Sequence, residues 1–247
     1  MNEHSQKPMS RAWLLGGLLL LAAASGQPAL SQMRVAAAAP AITGADPAIN
    51  SRFYKADAGV WAERFEGESR EIYRQRSGIV TASGISTGMT VADVGAGTGL
   101  FTMLFARQVG AGGRVVAVDI SPSFLESIAK RAKIEGFSNI GTLLGAHNDI
   151  RLPEGAVDIV FTSDTYHHFE QVVPILASIH RALKPGGRFV VIDFERIPGV
   201  SPPSRLEHVR AGKETVMEEV NAAGFRLRQE ITGVGLTDNY YLIFEKR

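Results

Sequence analysis

The sequence contains no cysteine among its 247 residues. That excludes disulfides, thiolate-ligated metals, a cysteine nucleophile and a lipidated cysteine, while fitting either side of a membrane. Charge of one sign is also lacking, since 26 Lys and Arg stand against 25 Asp and Glu, a formal net charge of +1. Without residues 1–26 the balance loses Lys7, Arg11 and Glu3 and becomes 24 against 24. A neutral domain offers no electrostatic footprint for a phosphate backbone, so DNA and RNA are not expected partners. No apolar run reaches the ~20 residues of a comfortable membrane-spanning helix. The one that comes nearest, Ala12 to Ser25, follows Lys7 and Arg11 without a twin arginine.

That opening pattern has the charged start and apolar middle of a secretory signal peptide, with small residues for cleavage at Ala24-Ser25-Gly26 or Ala29-Leu30-Ser31. The reading is residues 1–26 as a signal peptide or signal anchor and an exported, periplasmic or extracellular domain. An uncleaved anchor over 12–25, associating the protein with the membrane, is the alternative. Positive charge ahead of the apolar run places the domain outside the cytoplasm in either case. Residues 27–50, rich in Ala and Pro and without periodicity, read as a flexible linker.

From residue 51 the pattern is helical, with Phe53, Trp61, Phe65, Ile72 and Tyr73 spaced among charged residues. Residues 51–88 are expected as an N-terminal helical lid and 89–247 as the main domain. Strands and helices then alternate. Strands are expected at 89–94, 114–120, 140–145, 157–163 and 188–194, with helices at 100–109, after Ser121-Pro122, and at 173–183. Alternation with near-continuous apolar strands predicts a parallel sheet covered on both faces. A helical stretch near 206–223 ends at Gly224. Residues 225–231 and 239–246 then predict an antiparallel hairpin at the sheet edge.

The strongest chemical signal is Val91 to Thr102, VADVGAGTGLFT, a strand that runs into Gly95-Ala96-Gly97-Thr98-Gly99 and then a helix. Such a turn lets a ligand lie against bare backbone at a helix N-terminus. A dinucleotide loop wants a glycine at its sixth position, which here is Leu100. Asp93, just before the loop, would repel a pyrophosphate but accept hydrogen bonds from an amino group or hydroxyls. Asp119 ends the next strand, where a carboxylate can accept both ribose hydroxyls of an adenosine. Its alternative task is to cap the helix that opens at Ser121.

VADVGAGTG, VVAVDIS and LKPGGRFVVIDF, in this order and spacing, resemble the class I methyltransferases that use S-adenosyl-L-methionine. The resemblance runs from about residue 60 to the end. It implies a Rossmann-like, seven-stranded, mostly parallel sheet with helices on both faces and a C-terminal antiparallel hairpin. It also implies Gly95, Gly97 and Gly99 around the methionine part of the cofactor, with Ala96 and Thr98 in the same loop. Asp93 would hold the amino group, and Asp119, followed by Ile120, the ribose. Many relatives carry an Asp after the glycine that ends strand three. Here that residue is Ala146, so Asn148 or Asp149, with Asp149 preferred, is expected at the adenine. The missing cysteines argue against relatives that methylate metalloids through thiolates.

The fourth strand leads into Asp164-Thr165-Tyr166-His167-His168-Phe169, beside the expected cofactor site, and the segment resembles a small group of methyltransferases with an Asp-x-Tyr-His-His-Phe stretch. Asp164 is taken as a cofactor contact, and His167, His168 and Tyr166 as catalytic candidates, a histidine serving as general base. Packing and helix capping are the alternatives. Adjacent histidines point apart, so no metal site is expected. His208 and Arg210 read as a solvated helix face that could reach the same mouth. Arg70, Tyr73 and Arg76 belong to the lid, where an arginine could pair with the cofactor carboxylate. Trp61 and Phe65 read as core. The expected function is methyl transfer to a small-molecule acceptor, against the alternative of a secreted non-catalytic module binding an adenosine ligand.

Overall fold

Strands that are apolar on both faces need cover on both faces, and the intervening helices supply it. A computed structural model describes residues 42–247. The signal or anchor expected over 1–26, and the linker up to 41, lie outside the described residues. In chain order, α1 (Ala58–Phe65), α2 (Glu71–Arg74) and α3 (Arg76–Ala82) precede β1 (Thr90–Val94). Then come α4 (Leu100–Val109), β2 (Arg114–Asp119), α5 (Pro122–Ile134), β3 (Ile140–Leu144), β4 (Val157–Ser163), α6 (Val172–Ala182) and β5 (Leu183–Phe194). The chain closes with α7 (Pro203–His208), α8 (Lys213–Ala222), β6 (Phe225–Glu230) and β7 (Asn239–Lys246).

The strands form one seven-stranded sheet in the order β3-β2-β1-β4-β5-β7-β6. β1 to β5 are mutually parallel. β7 lies antiparallel between β5 and β6, as the terminal hairpin pattern predicts. The strand order reverses between β1 and β4, the place where open α/β sheets bind ligands beyond their carboxyl ends. One face of the sheet is sealed by Leu176 and Ile179 of α6 and Val216 and Val220 of α8. The other is sealed by Ile79 of α3 and Phe101 and Phe105 of α4, with Ile128 of α5 alongside.

Three segments differ from expectation. β5 starts at Leu183, directly after α6 ends at Ala182, rather than at 188, because Leu183 pairs with Val157 and the strand bulges before pairing resumes at Arg188. The stretch at 206–223 breaks between α7 and α8. Val209 and Ala211 are buried in the break, and Arg210 turns inward onto Glu219 at 2.7 Å. Residues 42–50 belong to the folded body rather than to a linker. Asp46 caps a 3-10 turn at Pro47–Ile49, the Ala45 N–H donates to the Phe169 carbonyl, and the buried Asn50 amide donates to the His168 carbonyl and to Glu170. Among the described residues no helix is long and apolar enough to cross a membrane.

Candidate active site

β1 delivers the chain into a loop of left-handed glycines, Gly95 at φ 71°, Gly97 at 53° and Gly99 at 86°. Two of them have no alternative. A Cβ on Gly95 would fall 2.2 Å from Cγ2 of Thr165, and one on Gly99 2.8 Å from Ile128. Gly99 then starts α4. Ala96, Gly97 and Thr98 line a cleft of about 530 Å³ together with Asp93, Asp119 and Ile120, within the range of small-ligand sites. Thr98 also donates its hydroxyl to Glu66 at 2.8 Å, and Arg131 holds the same carboxylate. The glycine loop is thereby tied to the segment after α1.

Asp119 performs the capping task weighed for it and also braces the glycine loop. Its Oδ1 accepts from the Ser121 N–H at 2.8 Å, at the start of α5, while Oδ2 accepts from the Gly97 N–H at 2.9 Å. Asp93 accepts from the Thr102 hydroxyl at 2.6 Å. Both carboxyls are buried at the cleft floor. Burial pushes Asp119 up to about 6 against the backbone N–H groups that favour its charge. Burial, opposed by Thr102 and reinforced by Asp119, pushes Asp93 up to about 7. Two carboxylates desolvated beside a bare-backbone loop form a receptor for an ammonium group and hydroxyls.

The other end of the cleft is built on the turn after β4. Asp164 there has φ 49° and accepts from Arg70 and from the Asn239 amide. The guanidinium expected to meet a cofactor carboxylate is therefore engaged by a protein carboxylate. Tyr73 and Arg76 pair with each other, guanidinium over ring at 4.0 Å, and neither lines the cleft. His167 is 2% exposed and shares Nδ1 with Asp193 Oδ1 at 2.7 Å, while its own N–H donates to Asp193 Oδ2 at 2.9 Å. His168 packs beside it with ring centroids 4.2 Å apart. Burial first, then the neighbouring His167, His208 and Arg52, pushes His168 down to about 2, which keeps it a neutral imidazole. The two rings do not diverge as expected. They are tilted by 41° and both face His208, at 4.9 and 5.3 Å.

Three expected site residues stand elsewhere. Tyr166 is fully buried and turns its hydroxyl away from the cleft to Glu219 at 2.8 Å, which is also bound by Arg210. Its catalytic assignment is therefore corrected to a packing one. Tyr166→Phe is expected to cost about 1–2 kcal/mol of stability by denaturant unfolding and to leave cofactor affinity unchanged, because only the hydrogen bond to a buried charge is lost. Asp149 accepts from the Arg151 N–H at 2.6 Å and pairs with Arg181 at 3.0 Å, and Asn148 is exposed. Neither lines the cleft, which this loop reaches through Gly145, Ala146, His147 and Ile150. The Ala146–Asp149 bridge pinches the loop so that residues 148 and 149 stay outside.

Conversely, several lining residues went unassigned. Asn50 and Phe53 come from the segment read as linker and lid start. Phe53 stands against Trp61 at 4.9 Å and His168 at 5.4 Å, and Trp61 and Phe65 wall the cleft instead of filling a core. Tyr54 reaches His147 at 2.6 Å, and His147 pairs with Glu170 at 2.9 Å, which latches this arm across the opening. The carboxylate behind His167 had a visible signal: Asp193 is the one acid in the apolar run FVVIDF.

Residues 85–246 match the family described as a methyltransferase domain. The chain belongs to that family. As a methyltransferase it is 32% identical over 127 residues to the ubiquinone/menaquinone biosynthesis C-methyltransferase UbiE of Escherichia fergusonii, covering 51% of this chain and 50% of that protein. The chain thus spans about half the length of the curated relatives it matches. A S-adenosylmethionine-dependent methyltransferase from Aquifex aeolicus superposes with a TM-score of 0.65 at 25% identity, covering 76% of this chain and 99% of the other. The [4+2]-cyclase SpnF, at 16% identity and a TM-score of 0.60 over 70% of this chain and 80% of its own, shares the fold alone. The cleft fits the S-adenosyl-L-methionine that the sequence motifs imply: the glycine loop is closed to side chains, and the buried carboxylates of Asp93 and Asp119 can accept from cationic and hydroxyl groups.

Proposed function

We propose that the enzyme transfers the methyl group of S-adenosylmethionine to a small, largely apolar acceptor carrying one ionisable heteroatom, seated at the histidine end of the cleft. The observation that carries this reading is the continuity of one cavity from Asp93 and Asp119, past the glycine loop, to His167, His168 and His208. Gly95 and Gly97 give the cofactor bare backbone, Asp119 accepts from its ribose, and Asp93 from its amino group. The cofactor supplies a methyl group already activated on a sulfonium, so the chain's own task is alignment and exclusion of water. Phe53, Trp61, Phe65 and Phe194 provide the apolar walls. The imidazoles supply lone pairs at the end of the cleft that faces the acceptor, where its proton must be lost or already absent. His167 is held in one ring orientation by Asp193, the support a proton-accepting or ligating imidazole needs. The aromatic walls and the similarity to a quinone-pathway C-methyltransferase favour hydroxylated aromatic acceptors.

Calorimetry with S-adenosylmethionine, S-adenosylhomocysteine and NAD tests the cofactor half. The first two are expected to bind and NAD is not. A screen of phenols, quinols, amines and thiols with methyl-labelled cofactor tests the acceptor half. His168→Ala is expected to retain cofactor binding and to lose transfer to whichever acceptor is labelled. Full transfer by both His167→Ala and His168→Ala would remove the histidines from the chemistry.

A further inference from the structure

His167, His168 and His208 come from two segments, the turn after β4 and the last residue of α7. One ring nitrogen from each lies within 4.8 Å of the other two. His167 commits Nδ1 to Asp193, which leaves Nε2, and that atom stands 3.3 Å from Nε2 of His208. A tetrahedral cation with bonds of about 2.0–2.1 Å to nitrogen separates its ligand atoms by ~3.3 Å. The third histidine adds an independent sign: Nδ1 of His168 is buried with no hydrogen-bond partner, a state that folded proteins seldom tolerate without a reason. A carboxylate on the far nitrogen of the most buried imidazole is the support that metal-bound histidines usually have.

We propose that His167, His168 and His208 bind one divalent transition-metal cation, Zn²⁺ by the chemistry of the donor set, with its fourth position open to the cleft. Three imidazoles without a thiolate or a directly facing carboxylate suit Zn²⁺ and its neighbours and do not suit Ca²⁺ or Mg²⁺. Three protein ligands with one open position is the arrangement of sites that bind a reactant. Arg52 and Arg64 line the cleft and act electrostatically on His208, and they favour an anionic oxygen or sulfur in that position. The cation would thus hold the acceptor's ionisable atom as its anion, and a His167 nitrogen that holds metal accepts no proton. Only this last assignment, the acceptor on the open position, rests on the methyl-transfer reading; the cation site stands on its own geometry.

The test uses the full chain without a histidine tag, stripped with a chelator. Zn²⁺ is titrated by calorimetry and Co²⁺ by visible absorption. One equivalent of each is expected to bind, with Co²⁺ developing the strong visible bands of a four-coordinate site. His208→Ala, at a half-buried position ending a short helix, and His168→Ala are each expected to weaken Zn²⁺ about tenfold or more and to bleach those bands. Asp119→Ala, at the opposite end of the cleft, keeps the metal signal. Absence of one-equivalent binding by the parent chain, or parent affinity in both histidine variants with folding verified by circular dichroism, overturns the proposal. Calorimetry with S-adenosylmethionine on the same samples separates the two readings. Cofactor binding without metal binding refutes the cation alone, and metal binding without cofactor binding refutes the cofactor reading alone.

Discussion

At pH 8 the Asp93→Asn chain is expected to melt several degrees above the parent while binding S-adenosylmethionine about tenfold or more weakly. Asp93 is 3% exposed at the end of β1, and burial raises it from an ordinary 3.8 to about 7. Between those values the folded chain holds a proton that the unfolded chain has released. The stabilising contribution of that proton is complete below 3.8 and is lost as pH rises through 7. Above 7 the folded chain therefore carries a buried charge whose cost asparagine removes, while its amide can still meet the Thr102 hydroxyl. At 1.36 kcal/mol per unit the full shift is an upper bound of about 4 kcal/mol, and with relaxation a gain on the order of 2 kcal/mol is the working figure. For a chain of this size that is roughly 4–8 °C. The gain should fade toward pH 4.5, where the parent carboxyl is already protonated. Calorimetric melting at both pH values checks this; a variant less stable at pH 8, or equally stabilised at both, contradicts it. Loss of binding follows because an amide offers no charge to a cofactor ammonium. Such an outcome would mean that Asp93 serves ligand binding at the expense of stability, a trade common at binding sites.

The features legible in the sequence are those whose cause is local. Continuous apolar runs define the parallel strands because each strand is covered twice. The glycines and Asp119 are legible because a tight strand-to-helix turn and a carboxylate at the next strand end leave fixed spacings. The acceptor end is not legible in the same way. His208 meets His167 across 41 residues and Asp193 meets it across 26, and neither separation follows from a local period. The choice of Asp149 over its neighbours fails for the same reason: the partner that claims its carboxylate, Arg181, is on α6, 32 residues away. Tyr166, His167 and His168 were grouped because they are adjacent, yet a 3-10 turn sends neighbouring side chains to different sides. Tyr166 goes to the core beneath α8 and the histidines to the cleft. The Asn50–Phe53 arm carries little periodicity to read, since its order comes from hydrogen bonds to the β4–α6 connection rather than from a helix face.

Asp119→Ala is expected to lower affinity for S-adenosylmethionine about 100-fold or more and to remove the lower of the two bends in its pH dependence. The side chain holds the glycine loop through Gly97 and the start of α5 through Ser121, so its removal loosens two walls of the cleft as well as deleting the proposed ribose acceptor. Two hydrogen bonds to a charged group, at about 1.5–3 kcal/mol each, account for that loss. The sign of the pH effect follows from the free enzyme, in which burial raises Asp119 to about 6 and Asp93 to about 7. Binding favours the charged form of each, so affinity should be constant above 7 and fall as pH drops, by about tenfold per unit for each proton that must leave. The parent should therefore bend near 7 and again near 6. Asp93→Asn should keep only the lower bend, and Asp119→Ala only the upper. Isothermal titration across pH 5 to 8, in buffers of different ionisation enthalpy, reads both the affinities and the protons released. A parent affinity flat over that window would mean that neither buried carboxyl meets the cofactor. The bonds from Ser121 and Gly97 would then be the whole task of Asp119.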